Sequence, residues 1–438
     1  MTTLQVAGSC MLLMLVLIGL RVPIGVAMGG VAFLGLWFLR NFNVALSVLR
    51  DTPFVFAANW DLSAIPMFLL MGAVAANSGI GSGLFRAAYA WFGRLPGGLA
   101  VATNWACAGF GAASGSSIAA AAVMARLAVP EMLKHKYDKA LATGVCASGG
   151  TLDALIPPSI LFVIYGVFAE VSISKLLLAG ILPGLLTAAV YMIMIIARCW
   201  INPKLGPPIE FADRDEMWKE RWASLRDIWP ILVLIVAVMG GLYWGVVSPT
   251  ESGAAGALIA TIIGVLQGRL SLTGFIDSLK DAIGTTAQLF FVGIGAVLFT
   301  KFLALSGSSQ LMVELVGTWA LDPLLLVIAV SVVYLILGMF LDPLGMILLT
   351  IPVFVPMFLA LNLDLVWLGV LVVKYIGIGL LHPPVGFNIY VVYGALNNQI
   401  PLTTIFRGCF WFLGCEVIIM TLLIAFPQIS LWLPSTMN

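Results

Sequence analysis

Long apolar segments alternate with short polar turns along almost the whole chain. Several segments approach or reach the roughly 20 residues that a helix needs to cross the hydrocarbon core of a bilayer. The clearest are residues 6–20, 176–197, 228–247 and 404–426. This pattern predicts an all-α polytopic membrane protein.

One polar segment divides the chain into two units. Residues 202–227 carry the densest run of charges in the sequence and begin with several prolines. We therefore predict a first unit at 1–201, a polar cytoplasmic linker at 202–227, and a second unit at 228–438.

Prolines recur between the two units at one fixed offset of 226 residues. The matching pairs are Pro23 and Pro249, Pro130 and Pro356, Pro157 and Pro383, and Pro158 and Pro384. Several matches at one offset indicate an internal duplication.

Each unit contains a pair of apolar segments interrupted by a short tip. The first pair lies at 96–130 with a small-residue tip at 111–117, and the second lies at 323–361 with a tip at 338–345. Because each arm is short for a full crossing once the tip is included, we predict two re-entrant hairpins. Three spans and a short amphipathic stretch precede each hairpin, and two spans follow it.

A proline pair interrupts a further apolar segment in each unit. Proline removes a backbone donor and disrupts the preceding helical turn, so the segments 138–165 and 364–392 are predicted to be broken helices. Carbonyl groups freed at such breaks can coordinate sodium, and the N-terminus of the following half-helix favours an anion. A packing kink is the simpler alternative.

Basic residues predict the orientation. If the first hairpin returns to its own side, one face collects Arg86, Arg94, Lys134, Lys136 and Lys139 together with the linker. The positive-inside rule makes this face cytoplasmic, although Arg40 and Arg50 fall on the other side. Five full crossings per unit then require two inverted-topology repeats, with hairpins entering from opposite faces and both termini periplasmic.

Composition agrees with a membrane protein and excludes several functions. The chain is 61% hydrophobic and 9% charged, with a mean hydropathy of +1.10. A net charge of +1 gives no argument for nucleic-acid binding, and the six cysteines lack metal-ligand or redox spacing. The first apolar run has no charged leader, so we interpret it as a retained helix.

Motifs of common enzyme chemistry are missing from the sequence. It contains no phosphate-binding G-x-x-x-x-G-K-[ST], no H-E-x-x-H and no G-x-S-x-G, and only 2 histidines. We therefore expect no enzyme, no use of ATP and no cofactor other than a coupling ion.

The two tips and the first break carry the polar groups that best fit a binding site. Ser114, Ser116 and Ser117 offer hydroxyls at the first tip, although small residues also permit close helix packing. Asp342 and Asp153 are candidates because a carboxylate at membrane depth usually faces a cation or a wet cavity. Either aspartate can instead cap a helix end.

Two other polar positions have simpler interpretations. Thr250 and Glu251 after Pro249 fit an ordinary helix start with an acidic first turn. His382 beside Pro383 is either a group that contacts substrate or titrates, or only a polar neighbour of the break.

The chain contains the motifs SPTES at 248–252, SGSS at 114–117 followed by VPEM at 129–132, LIPPS at 155–159 with Tyr165 and Gly166, KLLLAG at 175–180, GMFLD at 338–342, and PPVGFN at 383–388. Taken together, these motifs resemble a known family over nearly the whole chain: the large membrane (M) subunit of tripartite ATP-independent periplasmic (TRAP) transporters. The resemblance implies an ion-transporter-type elevator fold and sodium coupling. It also implies a small membrane (Q) subunit, a periplasmic solute-binding (P) subunit, and a location in the bacterial inner membrane. Since no further helices precede residue 6, we expect the Q subunit to be a separate chain.

The resemblance also assigns roles to individual positions. The implied sodium-site residues are Gly111, Ser114, Ser116, Ser117, Thr151, Pro157, Gly338, Asp342, Gly377, Gly379 and Pro383. The implied substrate-binding residues, between the two tips, are Ser117, Asp153, Ser159, His382 and Asn388. The chain departs from the family at His382, where threonine is usual, and at the alanine run 119–122, where many relatives have an acidic residue.

The sequence therefore predicts a sodium-coupled importer of a small anionic organic solute, a carboxylate, which it receives from the periplasmic binding protein. A stand-alone sodium-coupled carrier without a binding protein is the main alternative, and a membrane enzyme or scaffold is a third class.

Overall fold

The computed structural model describes residues 3–80, 82–208, 214–308, 310, 314 and 322–437. Their regular structure is entirely helical, which confirms the predicted all-α class. The helices of the first unit are α1 (Thr3–Gly19), α2 (Ile24–Leu39), α3 (Phe42–Ala57), α4 (Ala64–Asn77), α5 (Ser82–Phe92), α6 (Gly98–Ser114), α7 (Ser117–Lys134), α8 (Lys139–Gly149), α9 (Ile160–Phe168) and α10 (Ile173–Ile201).

The second unit has a similar order of helices. Its helices are α11 (Arg214–Tyr243), α12 (Pro249–Leu266), α13 (Leu272–Leu305), α14 (Pro323–Gly338), α15 (Pro343–Ala360), α16 (Leu365–Gly379), α17 (Phe387–Ala395), α18 (Leu402–Ala425) and α19 (Gln428–Ser435). Linker residues 209–213 and most of the amphipathic stretch predicted before the second hairpin lie outside the described residues.

Seven helices within the described residues are long and apolar enough to cross a membrane. They are Trp60–Asn77, Ile173–Ile201, Trp218–Tyr243, Pro249–Leu266, Leu272–Leu305, Pro343–Ala360 and Leu402–Ala425. The chain is thus a multi-pass membrane protein. Pro343–Ala360 is the second arm of the second predicted hairpin, so length alone does not identify that arm as re-entrant.

Several predicted boundaries differ from the structure. The predicted linker 202–227 is not polar coil throughout, because α11 begins at Arg214. Its early turns are held against α5 by an ion pair between Arg86 and Asp227 and by a 3.1 Å hydrogen bond from Arg221 Nε to the Ala90 carbonyl. The second arm of the first hairpin continues through Pro130 to Lys134.

The third span of the first unit is divided, whereas its counterpart α13 is a single helix of 34 residues. Between α3 and α4 the chain forms a short 3₁₀ turn at Trp60–Ser63. The Asn59 side chain accepts a 2.9 Å hydrogen bond from the Asp61 N–H, so it begins this turn as a cap. The two units therefore share an order of elements but not every helix.

Twelve of the described helices form two groups. α2, α4, α12 and α13 pack against one another, and we call them the scaffold bundle. The second group, which we call the hairpin bundle, contains α6–α9 and α14–α17. The halves interlock within it, because α7 of the first unit packs on α17 of the second and α9 packs on α15. Contacts of α4 with α6 and α9, and of α13 with α15, join the two bundles.

The start of α12 has a complete capping box, as expected for an ordinary helix start. The Glu251 N–H donates to Ser248 Oγ at 3.3 Å, and the Ser248 N–H donates to Glu251 Oε2 at 2.7 Å. Pro249 occupies the first helical turn, where its missing N–H costs nothing.

Replacing Ser248 by Ala should therefore lower the free energy of unfolding by about 1 kcal/mol, because it removes the side-chain acceptor of the cap. Thermal unfolding of the purified protein in detergent measures the effect. Ser47→Ala is the matched control, since Ser47 lies on the surface inside α3 and bonds only the Val44 carbonyl. Equal unfolding temperatures for the two variants would contradict the capping role.

Candidate functional site

Both hairpin tips and both helix breaks converge on one cavity between the scaffold and hairpin bundles. Its volume is about 430 Å³. The tips contribute residues 114–119 and 342–344, the breaks contribute Ala154, Ser159–Leu161 and Leu380, and α4 and α13 form the opposite wall. Segments that are far apart in the sequence therefore meet at one place.

The first break separates α8 from α9. After α8 the chain makes a 3₁₀ turn at Gly150–Ala154, and α9 begins only at Ile160. Pro157 and Pro158 lie in the irregular stretch between them, and their peptide bond is cis. The Ser159 side chain makes no capping bond to α9. The first turn of α9 lies at the cavity wall.

The second break has the same form. α16 ends at Gly379 and α17 begins at Phe387, with the cis pair Pro383–Pro384 between them. The Asn388 N–H donates back to the Leu380 carbonyl at 3.1 Å, which closes the irregular stretch on itself. The two proline pairs therefore lie between half-helices and not inside continuous helices.

The first tip is built around Gly115, whose φ of +62° is in the left-handed region that favours glycine. Ser116 then caps α7, because its Oγ accepts from the Ala119 N–H at 3.4 Å. A Cβ atom at Gly115 would lie 3.3 Å from the Pro158 carbonyl oxygen, so the tip lies directly against the first break.

Asp342 at the second tip both caps a helix and faces the cavity. Its Oδ2 accepts from the N–H groups of Leu344 at 3.1 Å and Gly345 at 3.3 Å. Asp342 also lines the cavity. The cap predicted as the structural alternative is present, and a cavity contact is present with it.

Asp153 lies behind the cavity wall. It is 1% exposed, and neither carboxylate oxygen has a hydrogen-bond partner among the described residues. A Cβ at Gly111 would lie 2.7 Å from the Asp153 Cα, so the first hairpin packs directly onto it. The predicted cap is not formed, and an ionised carboxylate here would need a cation.

The predicted site residues therefore divide into two sets. Ser114, Ser116, Ser117, Ser159 and Asp342 line the cavity. The residues outside that lining are Gly111, Thr151, Asp153, Pro157, Gly338, Gly377, Gly379, His382, Pro383 and Asn388. His382 Nδ1 lies 2.7 Å from the carbonyl of Pro383, and Asn388 Nδ2 donates to the Ala147 carbonyl at 3.1 Å.

The two breaks touch each other at equivalent positions. Thr151 and Gly377 are 226 residues apart, and a Cβ at Gly377 would lie 3.4 Å from the Thr151 Cβ.

The second hairpin packs directly on the second break, since a Cβ at Gly338 would lie 2.8 Å from the Gly379 Cα. This contact is the counterpart of that between Gly111 and Asp153.

No group of three or more His, Cys, Asp or Glu side chains in the described part of the chain could hold a metal ion. The donors available around the breaks are instead carbonyls, hydroxyls and single carboxylates. Such oxygen donors suit a hard cation such as sodium.

Sequence analysis missed three polar residues of the cavity wall: Asn77 on α4, and Asp281 and Thr285 on α13. The spacing of four residues between Asp281 and Thr285, which places them on one helix face, could have indicated them. It also missed Lys374 and Glu416, two charges inside predicted spans. Charges at that depth are a recognised signal of function.

Comparison with a solved structure agrees with the architecture. The structure of the YdaH transporter of Alcanivorax borkumensis superposes with a TM-score of 0.59 at 15% sequence identity, covering 88% of this chain and 89% of that one. The two chains therefore share a fold.

Residues 11–429 match the family model described as "Tripartite ATP-independent periplasmic transporter, DctM component". The chain belongs to this family of TRAP transporter large membrane subunits. It is 32% identical over 405 residues to the C4-dicarboxylate TRAP transporter large permease protein DctM of Pseudomonas aeruginosa, covering 89% of this chain and 92% of that protein.

A second relative is longer than this chain. The isethionate TRAP transporter permease protein DctMQ of Oleidesulfovibrio alaskensis is 30% identical over 390 residues. The match covers 87% of this chain and 59% of the relative.

Gly338→Ala should lower both stability and uptake, because its Cβ would meet the backbone of Gly379, which cannot move away by a side-chain rotation. Overpacking of this kind costs about 1–3 kcal/mol. Thermal unfolding in detergent and transport in proteoliposomes measure the two effects. Gly30→Ala on α2 is the control, since a Cβ there has nothing within 4 Å; an equal response of both variants would contradict the close contact.

Proposed function

We propose that this chain is the membrane subunit through which a sodium gradient drives uptake of a small anionic organic solute. The observation that carries the proposal is the charge of the cavity wall. Asp281 and Asp342 line it, and no lysine or arginine does so among the described residues. An anion entering such a cavity meets like charge unless a cation enters with it.

Bound sodium would remove this repulsion. The first break offers the buried carboxylate of Asp153 and carbonyls freed from helical bonding, and the second offers Gly377, Gly379 and Pro383 near the cap residue Asp342. Sodium at either break would place positive charge behind the cavity wall. The start of α9 and the hydroxyls of the first tip then provide donors for the anion.

An elevator movement of the hairpin bundle against the scaffold bundle is the mechanism that we propose. The cavity lies at the boundary between the bundles, so displacement of one against the other would carry its contents. A Cβ at Gly72 of α4 would collide with the Ser114 carbonyl oxygen, so α4 lies directly against the first tip. The contact between Thr151 and Gly377 supports inverted repeats related by an axis near these residues.

The substrate and partner assignments also belong to this proposal. Two of the relatives are named for C4-dicarboxylate and isethionate, a carboxylate and a sulfonate, which supports a small organic anion. The tripartite description of the family supports a small Q subunit and a periplasmic solute-binding protein as partners. We place the complex in the bacterial inner membrane with both termini periplasmic.

Asp342→Ala should reduce sodium-driven uptake more than tenfold, because it removes a charge at the cavity, and an interaction with a charged group contributes about 1.5–3 kcal/mol. Uptake is measured in proteoliposomes with an inward sodium gradient and the substrate identified by a binding screen on the partner solute-binding protein.

Asp364→Ala is the matched control. Asp364 caps α16 by accepting from the N–H groups of Val366 and Trp367, the same cap chemistry as Asp342, but it does not line the cavity. Normal uptake by Asp342→Ala would remove that residue from the site. Equal losses in both variants would show that only the cap matters.

Uptake should also depend on the binding protein. In proteoliposomes that contain this chain and the Q subunit, we expect substrate to accumulate only when the solute-binding protein and a sodium gradient are both supplied. Equally fast uptake without the binding protein would favour a stand-alone carrier, and the absence of uptake under every condition would favour a non-transport class.

A further inference from the structure

A buried ion pair lies inside the hairpin bundle and its neighbouring helices, away from the cavity. Lys374 on α16 and Glu416 on α18 form an ion pair with 2.6 Å between Lys374 Nζ and Glu416 Oε2. Their side chains are 3% and 2% exposed. Lys374 Nζ also donates to Glu416 Oε1 at 2.7 Å and to Thr187 Oγ1 on α10 at 3.1 Å. Three helices are therefore tied together by one ammonium group.

Stability alone does not explain this pair. Removing two charges from water costs as much as their attraction returns, and apolar residues of similar size often serve a protein core equally well. A buried pair of this kind is better explained by what it holds in place.

Tyr191 on α10 also belongs to this network. The Tyr191 hydroxyl donates to Glu416 Oε1. The ring is fully buried and packs edge-on against Phe412 with 4.9 Å between centroids. Because the ring is confined, the position of its hydroxyl is set by Glu416.

The network reaches the first break through α16. Gly377 lies three residues after Lys374 on α16, and a Cβ there would lie 3.4 Å from the Thr151 Cβ. The Thr151 hydroxyl donates to the Ser148 carbonyl at 2.7 Å. The helix that carries Lys374 therefore packs directly on the start of the first break.

Only one unit carries this arrangement. At the offset of 226 residues, Lys374 corresponds to Ser148 and Glu416 corresponds to Val190. A charge pair that served the general packing of the duplicated fold would have a counterpart in the other unit. Its presence on one side points to a role particular to the first break.

We propose that Lys374, Glu416 and Tyr191 are positioning residues that hold Thr151 in the conformation in which the first break binds sodium. The inference rests on the proposed sodium coupling. None of the three touches the cavity, so they act through Thr151 and not on the solute.

Tyr191→Phe tests the proposal with the loss of one oxygen atom. We expect the sodium concentration for half-maximal uptake to rise about threefold to tenfold, the effect of one lost hydrogen bond, while the rate at saturating sodium stays near that of the parent. Tyr137→Phe is the control, because Tyr137 is also buried but its hydroxyl accepts a bond from the Leu99 N–H at the other end of the hairpin. Its sodium dependence should not change.

A second variant distinguishes a change in sodium binding from a folding defect. Lys374→Met combined with Glu416→Leu removes both charges together and leaves neither unpaired, and we expect it to raise the half-saturating sodium concentration similarly. The second readout is the increase in unfolding temperature of purified protein when sodium replaces choline, which reports binding without transport.

The outcomes separate the two proposals. Parental sodium dependence in Tyr191→Phe and in the double variant would overturn the positioning role and leave sodium coupling intact. A parent protein that responds to sodium in neither assay would overturn sodium coupling and this inference with it. A lower maximal rate with unchanged half-saturation would assign the network to structural support alone.

Discussion

Backbone groups that are freed from helical hydrogen bonding inside a membrane must find other partners, and this requirement shapes the packing around both breaks. Local bonds satisfy some of these groups, since the Ile156 N–H donates to the Leu152 carbonyl and the Asn388 N–H donates to the Leu380 carbonyl. A hairpin tip packs against each break, and small residues make the approach possible. Gly111 against Asp153 and Gly338 against Gly379 are contacts that larger side chains would prevent. The cavity is the space that remains where these four segments meet the scaffold bundle.

The same constraint limits what the site can bind. The cavity wall carries the carboxylates of Asp281 and Asp342 without a lysine or arginine in the described lining. A cation is the natural partner of such a surface, and an anion would enter more easily once a cation is bound. Under the proposed sodium coupling, the coupling would arise from electrostatics and would not require a long-range conformational signal. The buried carboxylate of Asp153 has no hydrogen-bond partner among the described residues. It lies behind the cavity wall, which fits a cation that binds before the anion enters.

The helix breaks and the tip depend on the local residue type. Adjacent prolines and clustered glycines disrupt helices, so the two breaks and the serine tip could be predicted from residue types. A single proline such as Pro130 lies inside a continuous helix. Features that depend on tertiary contacts were missed or misplaced. The early turns of α11 look like polar linker until Arg86 and Arg221 dock them on α5. Asp281 belongs to an ordinary amphipathic pattern until the fold places it opposite Asp342. Lys374 and Glu416 lie 42 residues apart, and only the fold pairs them.

Two units with the same order of elements need not bind two ions alike. Their backbones provide similar breaks, but Asp153 corresponds to Gly379 at the repeat offset, and Lys374 corresponds to Ser148. One break therefore has a buried carboxylate, and Lys374 on the helix of the other break has a serine at the equivalent position of the first unit. Under the proposed sodium coupling, the two breaks would share their backbone donors, so a difference in affinity between them would come from these side chains. Divergence of a few charged residues would then make two sites of similar backbone geometry unequal.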